Sequence, residues 1–540
     1  MSDNYLLLGD EALALGALHS GLSGVYAYPG TPSTEITEFI QARKGYRGRG
    51  QALTYGEPPV HCNWSSNEKT AMEEALGASY AGKRALVCMK HVGMNVCADP
   101  FMGSAMTGAN GGLVVAACDD PSMHSSQNEQ DSRFYANFAM IPCLEPSDQQ
   151  ETYEAARYAF DLSEKYALPV LMRLTTRMAH SRANVHPREP RGQNPLHYPE
   201  GGKERRWVTL PVNARWRYPQ LIEDHAAAEK EAETSPFNKF TDGPDKSMGI
   251  IACGIAYNYL MENYPDGCPF PVLKISQYPF PRKLALELAR QCGTILVIEE
   301  GQCVVESMLA GVFPGGITVK GRLDGTLPRT GELDPDCVRK AVGLPARALR
   351  QASQITVPRP PALCQGCGHR DFFTALNNAL KGYEGARVFG DIGCYTLGYM
   401  PPLKSLHTCV EMGASITMAV GASLSGGYPM VAVIGDSTFT HSGMTGLLDA
   451  VNEGADVTVC ISDNETTAMT GGQDSAGTGK IEKICIALGV EPEHVHTIVP
   501  LPKNYAEMEE TIRRELDYHG VSVIVSRREC IQTAKRHLKK

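Results

Sequence analysis

The sequence predicts an α/β protein built from three parallel-sheet blocks. Short apolar runs of strand length alternate with segments whose apolar residues recur at helical spacing. Gly- and Pro-containing turns bound the runs, the grammar of βαβ units. The alternation also lapses twice, over 196–247 and 346–361, and restarts each time. A chain of 540 residues is long enough for two to four domains with large cores. Hydrophobic residues make up 43% and charged residues 21%, and the net charge is -9 with no Lys/Arg stripe, which argues against nucleic-acid binding. No apolar run has membrane-spanning length, and the start, Met1–Tyr5, lacks a basic export signal, so a cytoplasmic enzyme is expected.

The first block covers 1–195. Gly24 to Tyr28 reads as a strand, and Pro29-Gly30-Thr31-Pro32-Ser33 as a turn into a helix at Glu35. Ser66 to Ala81 is helical, and Ala85–Met89 and Leu113–Ala117 read as buried strands. Residues 196–247 hold Arg and Pro clusters and a charged helical run through Glu223–Glu233, and read as a linker with one helix. The second block covers 248–345, with strands at Gly249–Cys253, Val272–Ile275 and Thr294–Ile298. Residues 346–361, ending in Val357-Pro358-Arg359-Pro360-Pro361, form a stiff linker. The third block covers 362–540.

The third block carries the most informative chemistry. Val431–Ile434 is followed by Gly435-Asp436-Ser437, and Val457–Ile461 leads to Asp463-Asn464. Met444, Leu447, Leu448 and Val451 mark a helix between them. An acid and an amide therefore sit at the carboxyl ends of two parallel strands, the edge at which open α/β sheets bind ligands. A hard cation takes carboxylate, amide and diphosphate oxygens. The arrangement resembles the diphosphate–Mg2+ motif of thiamine-diphosphate (TPP) enzymes. The resemblance makes Asp436 and Asn464 Mg2+ ligands and adds the backbone carbonyl of Thr466. Gly471 and Gly472 open a Gly-rich loop, either a flexible surface loop or a place for backbone N–H groups to approach an anion.

Glu68, after Asn67, begins an apolar helix. Such a residue is commonly a dipole or capping group; in TPP enzymes a buried Glu protonates the aminopyrimidine ring of the cofactor, and Glu68 matches it. Several motifs together then resemble the large subunit of indolepyruvate:ferredoxin oxidoreductase, within the 2-oxoacid:ferredoxin oxidoreductases. They are Tyr28–Ser33, Asn67-Glu68, Met89–Asn95, Asp119–Asp131 and Gly390–Thr396, in matching order over nearly the whole chain. The resemblance implies two TPP-binding folds, a pyrimidine-binding domain at 1–195 and a diphosphate-binding domain at 362–540, with a swivelling domain at 248–345. It also implies that Thr31 contacts substrate carboxylate or cofactor, and that His91, His124, Arg133 and His441 lie near the 2-oxoacid.

The chain holds 17 cysteines, and with no export signal a disulfide framework is not expected. Most sit in apolar runs and read as core. Cys364-Gln365-Gly366-Cys367, a redox-active, zinc-binding or incidental pair on spacing alone, acquires a meaning from the family. Related enzymes bind a [4Fe–4S] cluster through a C-x-G-C pair, a Gly-Cys after a strand and a late Cys, an order matched by Cys364, Cys367, Cys394 and Cys530. Zinc is the competing occupant, and Cys409 a substitute ligand or core residue. The family's large subunit usually continues into a ferredoxin-like domain, whereas this chain stops at Lys540.

The expected function is TPP-dependent oxidative decarboxylation of a 2-oxoacid, an aryl pyruvate such as indolepyruvate by resemblance. Electrons would leave through the cluster to ferredoxin or another Fe–S electron-transfer subunit, and CoA would accept the acyl group. A smaller β/γ-type subunit in a hetero-oligomer is the expected partner. The rivals are a non-oxidative TPP-dependent decarboxylase or carboligase, which needs no cluster, and a non-catalytic cofactor-binding scaffold.

Overall fold

The structure is a computed structural model that describes residues 4–43, 46–47, 59–199, 203–309, 312–348 and 353–537. Met1–Arg350 and Gln351–Lys540 form two compact units, and the blocks expected at 1–195 and 248–345 both lie in the first.

The first unit is organised by an eight-stranded sheet. Its order is Gln277–Tyr278, Cys143–Leu144, Val170–Thr175, Leu113–Asp119, Ala85–Lys90, Gly24–Ala27, Val60–Trp64 and Tyr46–Arg47. Every pairing is parallel except that of Gln277–Tyr278. The central strands are apolar up to their last residues, Lys90 and Asp119, because both faces are covered. Leu86 and Cys88 face one core while Val87 and Met89 face the other, the period of two that a strand imposes.

A five-stranded sheet completes this unit, in the order Lys239–Thr241, Val272–Ile275, Gly249–Cys253, Thr294–Ile298 and Thr318–Lys320. Its two faces continue the two cores of the larger sheet: Ile250 and Ala252 join one, Ile251 and Cys253 the other. The stretch expected to be a linker with one helix holds a 22-residue helix, Pro211–Ala232, which buries Leu221, Ala228 and Ala232.

A buried ion network also ties the smaller sheet to the larger. Arg133 pairs with Asp131 (2.6 Å) and with Glu299 (2.9 Å), and its guanidinium donates to the Glu300 and Gln302 carbonyls. Arg173 pairs with Asp119 (2.6 Å) and also reaches Asp131 and Glu145. A guanidinium fork suits such multiple acceptors, and charges this deep persist only when paired.

The second unit carries a six-stranded, all-parallel sheet in the order Thr408–Cys409, Arg387–Gly390, Met430–Gly435, Val457–Asp463, Val521–Arg527 and Val495–Ile498. The chain places Arg387–Gly390 and Met430–Gly435 side by side, then winds outward from them in opposite directions. That reversal is a topological switch point, where the crevice at the carboxyl ends of the strands receives ligands. Met430–Gly435 and Val457–Asp463 are buried along their whole length. The helix between them, Met444–Glu453, ends at Gly454, whose φ of 61° supplies the left-handed residue that closes a helix.

Candidate active site

The carboxyl edge of the second sheet gathers the residues expected to hold diphosphate and metal. Asp436 follows its strand directly and is 2% exposed; its Oδ2 has no hydrogen-bond partner among the described residues. Burial, opposed in part by the Ser475 hydroxyl and reinforced by the Asp463 carboxylate, pushes the Asp436 carboxyl up to about 7. A divalent cation would supply the missing partner and favour the ionised form, so the donor set fits Mg2+.

Asp463, on the neighbouring strand, is held by Arg527, whose Nε donates to Oδ2 at 2.7 Å. The two stand opposite each other in the register of the parallel pair. Asn464 comes next: its Oδ1 accepts from the Thr466 amide (3.2 Å), and its carbonyl accepts from the Cys530 amide (3.2 Å). Glu465 adopts φ 63°, which reverses the chain into Thr466. The Thr466 hydroxyl donates to the Gln473 carbonyl (2.9 Å), closing a hairpin of Thr466–Thr467 against Gln473–Asp474.

Gly471 and Gly472 form the tip of that hairpin. Both have positive φ, 131° and 93°, and their amides donate inward to Ala468 and Thr467. Their backbone N–H groups therefore close the turn, which accounts for the glycines without an anion. Gly435 is required for space: a Cβ there would lie 2.7 Å from the Tyr395 ring. The Ser437 hydroxyl lies 2.8 Å from that of Thr467 and links the two strand ends. His441 is buried in a π-helical turn, Phe439–Gly443, with Nδ1 2.6 Å from the Ser442 hydroxyl. Asp391, in the Gly390–Thr396 motif, accepts from the Gly413 and Ser415 amides (2.8 and 3.1 Å) and clamps the loop before the next helix.

Cys364, Cys367, Cys394 and Cys530 line one cavity of about 110 Å³, shared with Asp463, Asn464 and His369. Gly366 turns the C-x-G-C segment with φ 76°, and the Cys367 amide donates to the Cys364 carbonyl (3.2 Å). Cys367 caps the helix Gly368–Ala379, so its sulfur lies at the positive end of a helix dipole. Burial raises the Cys394 thiol to about 12, with Cys367, Cys530 and Cys364 as further causes. Metal or cluster coordination removes that penalty, because a bound cation stabilises thiolate. No three described sulfurs of this group lie within 4.8 Å of one another; a single tetrahedral zinc needs thiolates about 3.8 Å apart. Cys409 does not line the cavity; its thiol donates to the Asp391 carbonyl at 3.7 Å.

In the first unit, Glu68 opens the helix Glu68–Tyr80 and is 5% exposed. Asn67 caps that helix, its side chain accepting from the Thr70 amide at 2.9 Å. Gly93 faces Glu68 closely: a Cβ at Gly93 would stand 2.7 Å from Cγ and 2.8 Å from Oε1. Sequence spacing has no signal for this pairing. Thr31 is half-buried in the loop after Gly24–Ala27. That loop is shaped by Ser33 donating to the Gly30 carbonyl (2.7 Å), and the Lys90 stem packs over Gly30. His91 is fully buried, with Nε2 3.1 Å from the Asn128 carbonyl and no hydrogen-bond partner for Nδ1 among the described residues. Thr31, Glu68 and His91 thus belong to one end of the sheet. His124 is exposed and pairs with Glu332 at 3.4 Å, and Arg133 is engaged on all sides by the ion network.

Two family models match the chain. Residues 15–232 match the model described as pyruvate flavodoxin/ferredoxin oxidoreductase, thiamine diP-bdg. Residues 391–526 match thiamine pyrophosphate enzyme, C-terminal TPP binding domain. Indolepyruvate oxidoreductase subunit IorA of Methanothermobacter marburgensis is 39% identical over 98% of this chain and 87% of its own length. Subunits of that name from Archaeoglobus fulgidus and Pyrococcus horikoshii are 38% and 37% identical, each over 98% of this chain and 86% of their own. Among solved structures, 2-oxoglutarate:ferredoxin oxidoreductase from Magnetococcus marinus, with 2-oxoglutarate, coenzyme A and succinyl-CoA bound, aligns at 16% identity. Its TM-score is 0.49, over 63% of this chain and 65% of that one.

Proposed function

The chain belongs to the family of indolepyruvate oxidoreductase IorA subunits, within the 2-oxoacid:ferredoxin oxidoreductases, and we propose that it decarboxylates an aryl pyruvate such as indolepyruvate and passes the electrons through a [4Fe–4S] cluster. TPP-dependent oxidative decarboxylation of a 2-oxoacid is the coarser activity that the family and its two TPP-binding regions establish. The observation that carries the electron path is the cavity holding Cys364, Cys367, Cys394 and Cys530 beside Asn464. Its sulfurs are spread wider than one zinc needs, which favours a multinuclear centre over a lone ion.

When bound, TPP supplies a nucleophilic carbon and an electron sink. The chain's own residues prepare that chemistry. Glu68 keeps a carboxyl out of water at the start of its helix, where it can hold a proton against the aminopyrimidine and take it back. Asp436 and Asn464, with the Thr466 carbonyl, would hold Mg2+ on the diphosphate. The Gly435 backbone leaves room for cofactor and for Tyr395. Thr31 and His91 would orient the 2-oxoacid carboxylate, and His441, at the strand ends of the second unit, is proposed as a further catalytic residue. CoA as acyl acceptor, a smaller partner subunit in a hetero-oligomer, and ferredoxin or another acceptor belong to the same proposal. No described helix is long and apolar enough to cross a membrane.

The test is anaerobic purification followed by iron and labile-sulfide analysis and electron paramagnetic resonance of the reduced protein. About four irons and four sulfides per chain are expected, with a reduced-cluster signal lost in Cys394→Ser. A colourless protein without iron, prepared strictly without air, overturns the electron path and leaves a non-oxidative decarboxylase as the better reading.

A further inference from the structure

Away from these residues, three side chains of the first unit converge on a buried Asp10 carboxylate oxygen that has no hydrogen-bond partner among the described residues. Asp10 lies in the first turn of the helix Gly9–Leu18, Glu35 in the first turn of Thr34–Gln41, and His180 ends Thr176–His180. Their ligand atoms all lie within 4.8 Å of one another, the one such group of His, Cys, Asp and Glu among the described residues. Asp10 is 0% exposed; among the described residues Oδ2 has no hydrogen-bond partner, and Oδ1 accepts from the Cys118 thiol at 3.9 Å. The Glu35 side chain is 37% exposed, though its Oε2 is itself buried, and it forms an ion pair with His180, 3.5 Å from Nε2.

The spacing suits a shared cation better than a shared proton. Two carboxyls that share a proton approach to hydrogen-bond distance, and these oxygens form no such bond. Two ligands on one tetrahedral ion, each about 2.1 Å from it, stand about 3.4 Å apart, close to the 3.5 Å between Glu35 and His180. Burial and the nearby Glu35 hold the Asp10 carboxyl well above its ordinary range, the condition a cation relieves. The two helix N-termini help each carboxylate only weakly by comparison.

We propose that Asp10, Glu35 and His180 bind one divalent transition-metal ion of the zinc class, with three protein ligands and a further position open to water. One imidazole and two carboxylates suit zinc better than Mg2+, which takes oxygen alone. The ion is structural: it pins two helix starts and the end of Thr176–His180 together, four residues from Thr31. It uses none of the residues assigned to the reaction.

The full chain, purified anaerobically and stripped with a chelator, is titrated with zinc chloride against a chromophoric competitor. One tight equivalent is expected, weakened about 100-fold in His180→Gln and in Asp10→Asn and retained in Cys367→Ser. X-ray absorption of that equivalent should show nitrogen and oxygen near 2.0–2.2 Å and no sulfur. Zinc affinity unchanged in both His180→Gln and Asp10→Asn overturns the site. So does a tight equivalent with a sulfur shell that disappears in Cys367→Ser. Asp10→Asn is isosteric and His180 is a third exposed, so at least one variant keeps the fold, as circular dichroism would confirm.

Discussion

The Glu68 side chain has room only because Gly93 has none. The carboxyl occupies the space a Cβ at position 93 would take, at 2.7–2.8 Å. The helix Gly93–Val96 accepts alanine, so Gly93→Ala moves Glu68 and leaves the backbone in place. Positioned general acid–base groups contribute about 10²–10⁴-fold. Gly93→Ala should therefore lower kcat by about 10²-fold or more, as should Glu68→Gln, while TPP affinity stays within a few-fold. Stopped-flow turnover and a cofactor-binding titration separate the two quantities. Wild-type turnover in Gly93→Ala would remove Glu68 from the proton relay.

At the scale of elements, short glycine-closed turns place the candidate ligands. The C-x-G-C segment closes through Gly366 at φ 76° and presents Cys364 and Cys367 to the same cavity. A residue with a Cβ costs about 1–2 kcal/mol in that conformation, and asparagine tolerates it better than alanine. Gly366→Ala should lower iron per chain and shorten the half-life of cluster loss to a chelator, with Gly366→Asn intermediate. Equal iron content and equal loss rates in all three proteins would mean that the turn does not position the ligands. The same scale shows how much of the site the sequence discloses. Asp436, Asn464 and the C-x-G-C pair are readable because each abuts an apolar run or a fixed spacing. The amides of Gly471 and Gly472 turning inward, and the surface position of His124, depend on tertiary contacts that no local pattern encodes.

On the scale of the whole first unit, strands such as Val272–Ile275 and Thr294–Ile298 are legible because buried parallel strands are continuous apolar runs. Their merger with the larger sheet is not legible. It rests on a two-residue pairing of Gln277–Tyr278 with Cys143–Leu144 and on charges scattered from Asp119 to Arg322, each of which reads alone as a polar loop residue. Glu300 belongs to that shared interior. It accepts from the Leu333 amide (3.1 Å) and from Arg322 (3.2 Å), yet burial raises its carboxyl to about 7. Its folded value exceeds its unfolded value, so the folded state holds the proton longer than the unfolded one. The stability contributed by that proton is complete below pH 4.5 and is lost as pH rises through 7. A shift of this size corresponds to about 3 kcal/mol. Urea unfolding of the wild type should show stability from this group falling between about pH 5 and pH 8. Glu300→Gln keeps an acceptor for Leu333 and cannot ionise, so its stability should fall less steeply over the same window. Parallel pH profiles for the two proteins would show that Glu300 is ionised in the folded state throughout, and that Arg322 compensates its charge in full.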